Sequence, residues 1–120
     1  MTGLNKVHLI GHLGDDPESN VLKNGDQVCN FNLATSDYSI DNQGNKKTYT
    51  EWHRIVAFKG LAKICAQYLK KGKMIYIEGK IKNNSWEDKD GIKRYSTNIV
   101  ANEMKMLSSK NGQNTDKKDN

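Results

Sequence analysis

Residues 47–72 read KTYTEWHRIVAFKGLAKICAQYLKKG. Two periodicities meet in this stretch. Trp52, Arg54, Val56 and Phe58 alternate with His53, Ile55 and Ala57, which is the period-2 pattern of a strand. Leu61, Ile64, Cys65, Tyr68 and Leu69 then fall at i, i+3, i+4, i+7 and i+8, the apolar stripe of an amphipathic helix. Lys70 and Lys71 would sit in its last turn with Gly72 just beyond, as helix C-termini prefer. A strand therefore runs almost directly into one short helix.

Outward from that junction the chain reads as strands. Residues 6–13 place Val7, Leu9 and Leu13 on one parity before Gly14-Asp15-Asp16-Pro17 breaks the pattern. Residues 27–36 alternate Cys29, Phe31 and Leu33 with Asn30, Asn32 and Ala34. The polar stretch 37–46 reads as a long hairpin loop, and the third strand covers 47–58. After the helix, residues 74–86 set Ile75, Ile77, Gly79 and Ile81 on one parity, and Asp88-Lys89-Asp90-Gly91 turns the chain into a fifth strand over 94–106. Residues 108–120 hold no apolar anchor and are expected to form a short disordered tail after a domain over 1–107. The order β-β-β-α-β-β predicts a mainly all-β fold, a five-stranded OB-fold barrel with one short helix between strands 3 and 4.

The 120 residues suffice for one small domain. The net charge of +5 is unevenly placed: residues 46–94 hold 13 of the 19 Lys and Arg but five of the 14 Asp and Glu, a local balance of +8 that leaves −3 elsewhere. A basic segment on a small domain points to a polyanionic partner. The sequence contains neither a run of roughly 20 apolar residues nor a signal-peptide pattern, so the expected location is cytoplasmic. Cys29 and Cys65 form no CxxC pair and read as buried small hydrophobes. His8 and His12 would lie about 13 Å apart on a strand, too far for one metal ion. Gly60 and Gly72-Lys73 complete no phosphate loop, and no triad or carboxylate pair stands out. No enzyme activity, metal or cofactor is expected.

Parity singles out one surface. Trp52, Arg54, Val56 and Phe58 point away from the Ile55 side of the third strand. In the fourth strand Lys80, Lys82, Asn84 and Trp86 take the parity opposite to Ile75 and Ile77. Rings beside cations thus recur on two strands. Aromatic faces stack bases of any identity at about 1–3 kcal/mol each, and Lys and Arg track phosphates. Duplexes hide their base faces, so the pattern predicts a single-stranded nucleic-acid surface that ignores sequence.

Six segments carry a resemblance to a known family: Asn5-Lys6-Val7, Gly11-His12-Leu13-Gly14-Asp15-Asp16-Pro17-Glu18, Asn32-Leu33-Ala34-Thr35-Ser36, Glu51-Trp52-His53-Arg54, Tyr68-Leu69-Lys70-Lys71-Gly72 and Tyr76-Ile77-Glu78-Gly79. Together they make residues 4–107 closely resemble the bacterial single-stranded DNA-binding family. The resemblance implies an OB-fold homotetramer that coats single-stranded DNA in replication, recombination and repair. It puts stacking aromatics on Trp52, Phe58 and Trp86, and a fourth, usually Trp, on Tyr38. It puts basic positions of the DNA path on Arg54, Lys71, Lys82 and Lys6, and His53 at the subunit contact. Lys80, Lys59 and Lys73 are further candidates for phosphate contacts. The family usually ends in an acidic tip with a terminal Phe that recruits replication and repair enzymes. Residues 111–120 balance Asp with Lys and hold no aromatic, so those partners are not carried over.

Two rival readings keep the same fold. One is a replication-restart accessory protein acting through protein contacts, which the presence of Trp52, Phe58 and Trp86 argues against. The other is an RNA-binding OB domain, which comparison of oligo-dT with oligo-U would separate.

Overall fold

The alternation read from the sequence folds as strands whose inward residues close on one another. A computed structural model describes residues 3–107; the expected polar tail over 108–120 lies outside the described residues. In chain order the elements are β1 (Val7–Leu13), β2 (Glu18–Val21), β3 (Gln27–Ile40), β4 (Lys46–Phe58), α1 (Lys59–Tyr68), β5 (Met74–Glu87) and β6 (Lys93–Met106). The sheet order is β1-β5-β6-β4-β3-β2, and β1 pairs back onto β3 through His12–Ala34 and Leu13–Leu33. That pairing closes β1, β3, β4, β5 and β6 into the expected five-stranded barrel. All neighbours run antiparallel except β4 and β6, which meet in parallel at Ile55–Ile99 and Val56–Val100.

The core lies where inward parity from all five strands converges. Leu33, Ile55, Ile75 and Ile77 are fully buried there, with Cys29 and Cys65 beside them. Burial pushes both thiols up, Cys65 to about 12 with a smaller contribution from Cys29. They act as small apolar side chains, as expected. Gly11 and Gly79 also face inward, and a Cβ at either would meet the carbonyl oxygen of Ala34 or Val100. Only glycine lets the backbones approach this closely where the barrel wraps. The β5–β6 register shifts at Glu78/Gly79, a bulge that bends the pair.

Four details differ from the sequence reading. First, β2 is an additional four-residue strand, exposed throughout, laid on β3 from Glu18–Asn30 to Val21–Gln27. It has no buried side, so no alternation announced it. Second, the loop expected over 37–46 is mostly strand: β3 runs to Ile40 and pairs with β4 as far as Ile40–Lys46. Only Asp41–Asn45 turns, where the Asp41 carboxylate accepts the Gln43 and Asn45 N–H groups at 2.9 and 2.8 Å.

Third, α1 ends at Tyr68 rather than near Gly72. The Leu69 N–H bonds Cys65 O at 3.1 Å and the backbone then extends. Gly72 instead occupies a positive-φ turn and donates its N–H to Leu13 O at 2.9 Å. The helix buries Ala62 and Cys65, and Leu69 follows them into the core, while Ile64 and Tyr68 stay about half exposed. The small Ala62 and Ala66 allow the helix to sit close on the barrel end, so its inner face is rotated from the one the large apolar residues suggested. Fourth, Ile81 is 46% exposed, because β5 has run past the core at that point.

Candidate nucleic-acid interface

The outward parity of β4 and β5 forms one continuous surface because β6 lies between them. Val56 stands beside Val100, and Val100 stands opposite Lys80. Two residues along, Lys82 faces Asn98, then Asn84 faces Ser96 and Trp86 faces Arg94. A groove of about 280 Å³ follows this line, with Val56, Phe58 and Val100 as its apolar part and Lys80, Lys82, Asn84 and Asn98 as its polar part. The structure thus brings Phe58, Lys80 and Lys82 together.

Trp52 and Trp86 continue the surface at 60% and 50% exposure, and Phe58 is 40% exposed. Trp52 has a specific support. A Cβ at Gly14 would run into its six-membered ring, so the indole lies directly over the Gly14 backbone. Gly14 is itself fixed by its N–H bond to Asn32 O at 3.0 Å. Tyr38 belongs to strand β3 rather than to a loop. It stands opposite Thr48, on the side that carries Trp52, and Lys46 Nζ lies 4.5 Å from its ring centroid.

The basic candidates have different settings. Arg54 is exposed and shares a cleft of about 230 Å³ with Asp15, Asp16, Glu18, Asn30 and Asn32. Lys71 borders Asp16, whose carboxylate accepts its backbone N–H at 2.9 Å. Lys73 is half-buried, its carbonyl accepting the Leu13 N–H at 3.0 Å. Lys59 is exposed at the start of α1 with φ of 58°. Lys6 lies outside the groove: its Nζ is 3.2 Å from Glu78 Oε2. That ammonium is the main reason the Glu78 carboxyl is held below its ordinary range. Tyr76 donates its hydroxyl to Glu78 at 3.1 Å and lies 2.8 Å from His8 Nδ1. His53 points inward, half-buried, with Nε2 2.9 Å from Thr35 Oγ1.

Several residues of this surface escaped the sequence reading. Asn98, Val100 and Arg94 share the outward parity of β6, and the alternation argument used on two strands would have found them on a third. Arg94 Nε bonds Asp88 Oδ2 at 2.9 Å, which ties the β5–β6 turn. The Asp88 carboxyl is held low, first by the Ile92 N–H and then by Arg94. Nothing in the sequence marks Gly14 as the rest beneath Trp52.

Residues 4–107 match the Single-strand binding protein family. The chain is 56% identical to Single-stranded DNA-binding protein 1 of Chlorobaculum tepidum over 109 residues, covering 90% of this chain and 67% of that protein. It is 52% identical to the Single-stranded DNA-binding protein of Neisseria meningitidis over 108 residues, covering 90% and 62%. This chain therefore spans roughly two thirds of those relatives' length. Its fold is similar to that of the Plasmodium falciparum protein solved in complex with single-stranded DNA, at TM-score 0.83 and 31% identity over 90% of this chain and 98% of that one. It is also similar to a deletion mutant of the single-stranded DNA-binding protein from Thermus aquaticus, at TM-score 0.78 and 29% identity over 92% and 53%. A match over residues 4–107 and relatives above half identity lead to one conclusion: the chain belongs to the single-strand binding protein family.

Proposed function

We propose that this chain binds single-stranded DNA without reading its sequence, with residues 1–107 as the binding domain. The observation that carries the reading is the common outward face of β4 and β5, where Trp52, Phe58 and Trp86 stand exposed beside Arg54, Lys80 and Lys82. The rings stack bases, with Tyr38 as a fourth, and the cations neutralise phosphates, with Lys71, Lys59, Lys73 and Lys6 supplementing them. Stacking tolerates every base, and phosphate contacts carry no sequence information. The work is binding and protection rather than turnover.

The wider role proposed on the strength of family membership is coating single strands in replication, recombination and repair in the bacterial cytoplasm, as a homotetramer. Self-association is supported by β1. Among the described residues its Val7–Gly11 stretch pairs with β5 alone, which leaves an open edge, and Ile10 on it is 58% exposed. Apolar open edges recruit further strands. The expected native mass in solution is four times that of the chain, and a monomer at micromolar concentration would remove the tetramer from the proposal.

Tryptophan fluorescence tests the binding. Oligo-dT is expected to quench Trp52 and Trp86 strongly and duplex DNA of equal length weakly. Raising salt should weaken oligo-dT binding with a log–log slope of about −0.7 per phosphate neutralised. Equal quenching by duplex and single strand would overturn the reading.

A further inference from the structure

The groove between β4 and β5 contains an acceptor without a donor. Asn98 of β6 lines it, opposite Lys82 of β5, and its Oδ1 is buried with no hydrogen-bond partner among the described residues. Lys80 and Lys82 line the same groove, yet neither ammonium satisfies that oxygen. Buried amide oxygens are nearly always paired, because an unmade bond forfeits the desolvation cost of the group. An orphan acceptor in a groove with an exposed ring on one side marks a place where a ligand supplies the missing N–H.

We propose that a nucleobase bound in this groove donates an N–H from its Watson–Crick edge to Asn98 Oδ1. This deepens the proposed binding of single-stranded DNA and rests on that reading. Thymine offers N3–H, cytosine and adenine their exocyclic amines, and guanine N1–H and its exocyclic amine. A single acceptor is satisfied by any of them, so the contact adds affinity without selecting a base. The terminal torsion of an Asn amide is broad, so the amide is free to turn Oδ1 toward an entering base.

The probe is a short oligo-dT compared with the same oligomer built from N3-methylthymidine, which keeps the ring face and removes thymine's only N–H donor. The chain is expected to bind the methylated oligomer about fivefold or more weakly, the loss of one hydrogen bond. Asn98→Leu is expected to bind both oligomers alike, near the level of the parent with the methylated one. Its melting temperature should equal or exceed the parent's, since an unpaired buried acceptor is gone; a structural role would lower it. Asn98→Ala should abolish the discrimination in the same way should Asn98→Leu not fold. Unchanged discrimination in the variants, or parental affinity of Asn98→Leu for oligo-dT, would overturn the inference. Failure of the parent to bind oligo-dT at all would remove the binding reading instead.

Discussion

The same strands make two different regions. In its first half β5 buries Ile75, Ile77 and Gly79 on alternate positions; from Lys80 to Glu87 every residue is exposed. β4 does the reverse: residues 46–52 are exposed and Ile55 and Ala57 are fully buried. Strands of 13 and 14 residues are more than twice the usual length, so they overrun the barrel and continue as two-stranded arms. Within the barrel one face is fixed by burial and the other is left free for rings and cations. In the arms both faces meet water, and pairing alone holds the register. Stability is thus concentrated in one half of each strand, while much of the binding surface lies on the other half.

The largest effect expected from that division is in the barrel. Ile77 has no exposed surface and stands between Leu9 and Met104 on the neighbouring strands. Ile77→Ala removes buried methyl groups and leaves a cavity, at a cost of about 2–5 kcal/mol. Thermal denaturation should show a fall in melting temperature of roughly 10 °C or more. Oligo-dT affinity measured well below the transition should stay at the parental value. A loss of affinity in the still-folded variant would mean that the two regions are mechanically coupled.

How much the sequence disclosed follows the same boundary. Ile55, Ala57, Ile75 and Ile77 are buried as their parity required, and the outward positions of Trp52, Phe58 and Trp86 followed from it. Alternation is visible only where one face is apolar. Residues 37–46 read as a loop because Tyr38, Ile40 and Lys46 belong to an arm with no inside, and Ile81 read as core because its parity continued past the point where the core ended. β2 was invisible for the same reason. The helix face was read only in part: Leu61, Cys65 and Leu69 pack inward as expected, but the small Ala62 and Ala66 share that packing while the larger Ile64 and Tyr68 face outward. Asn98 was legible by parity but not by chemistry, since only the folded surroundings show that its oxygen lacks a donor.

An intermediate effect is expected in the arms, with the opposite signature. Trp86→Ala should weaken oligo-dT binding by about 1–3 kcal/mol, or roughly 5- to 150-fold. Its melting temperature should change little, as for most exposed substitutions. Tyr38→Ala should follow the same pattern with a smaller loss. Its ring is smaller, and Lys46 already lies over it at 4.5 Å, a cation–π contact that a base must share or displace. Fluorescence titration beside differential scanning measures both quantities on each variant. A fall in melting temperature as large as that of Ile77→Ala would show that the arms support the barrel after all.

The smallest effect lies on the boundary, and it sharpens where the boundary falls. Glu78 is the last outward residue of β5 before the bulge, half-buried and 3.2 Å from Lys6. Its carboxyl is held below the ordinary value of 4.5, chiefly by the Lys6 hydrogen bond, against the opposing effect of desolvation. A carboxyl whose folded value is lowered binds fewer protons in the folded than in the unfolded chain across that interval. The contribution to stability is therefore complete above pH 4.5 and is lost as pH falls through the lowered folded value. Lys6→Ala should accordingly melt slightly below the parent at neutral pH, and the gap should close as the medium is acidified through that range. Added salt should narrow the gap as well, because the pair is partly exposed and open to screening. A gap that stays constant from neutral pH into the acid range would show that Lys6 supports β1 by packing its aliphatic stem. The ion pair would then not be what holds β1 to β5 at the place where the barrel gives way to the arm.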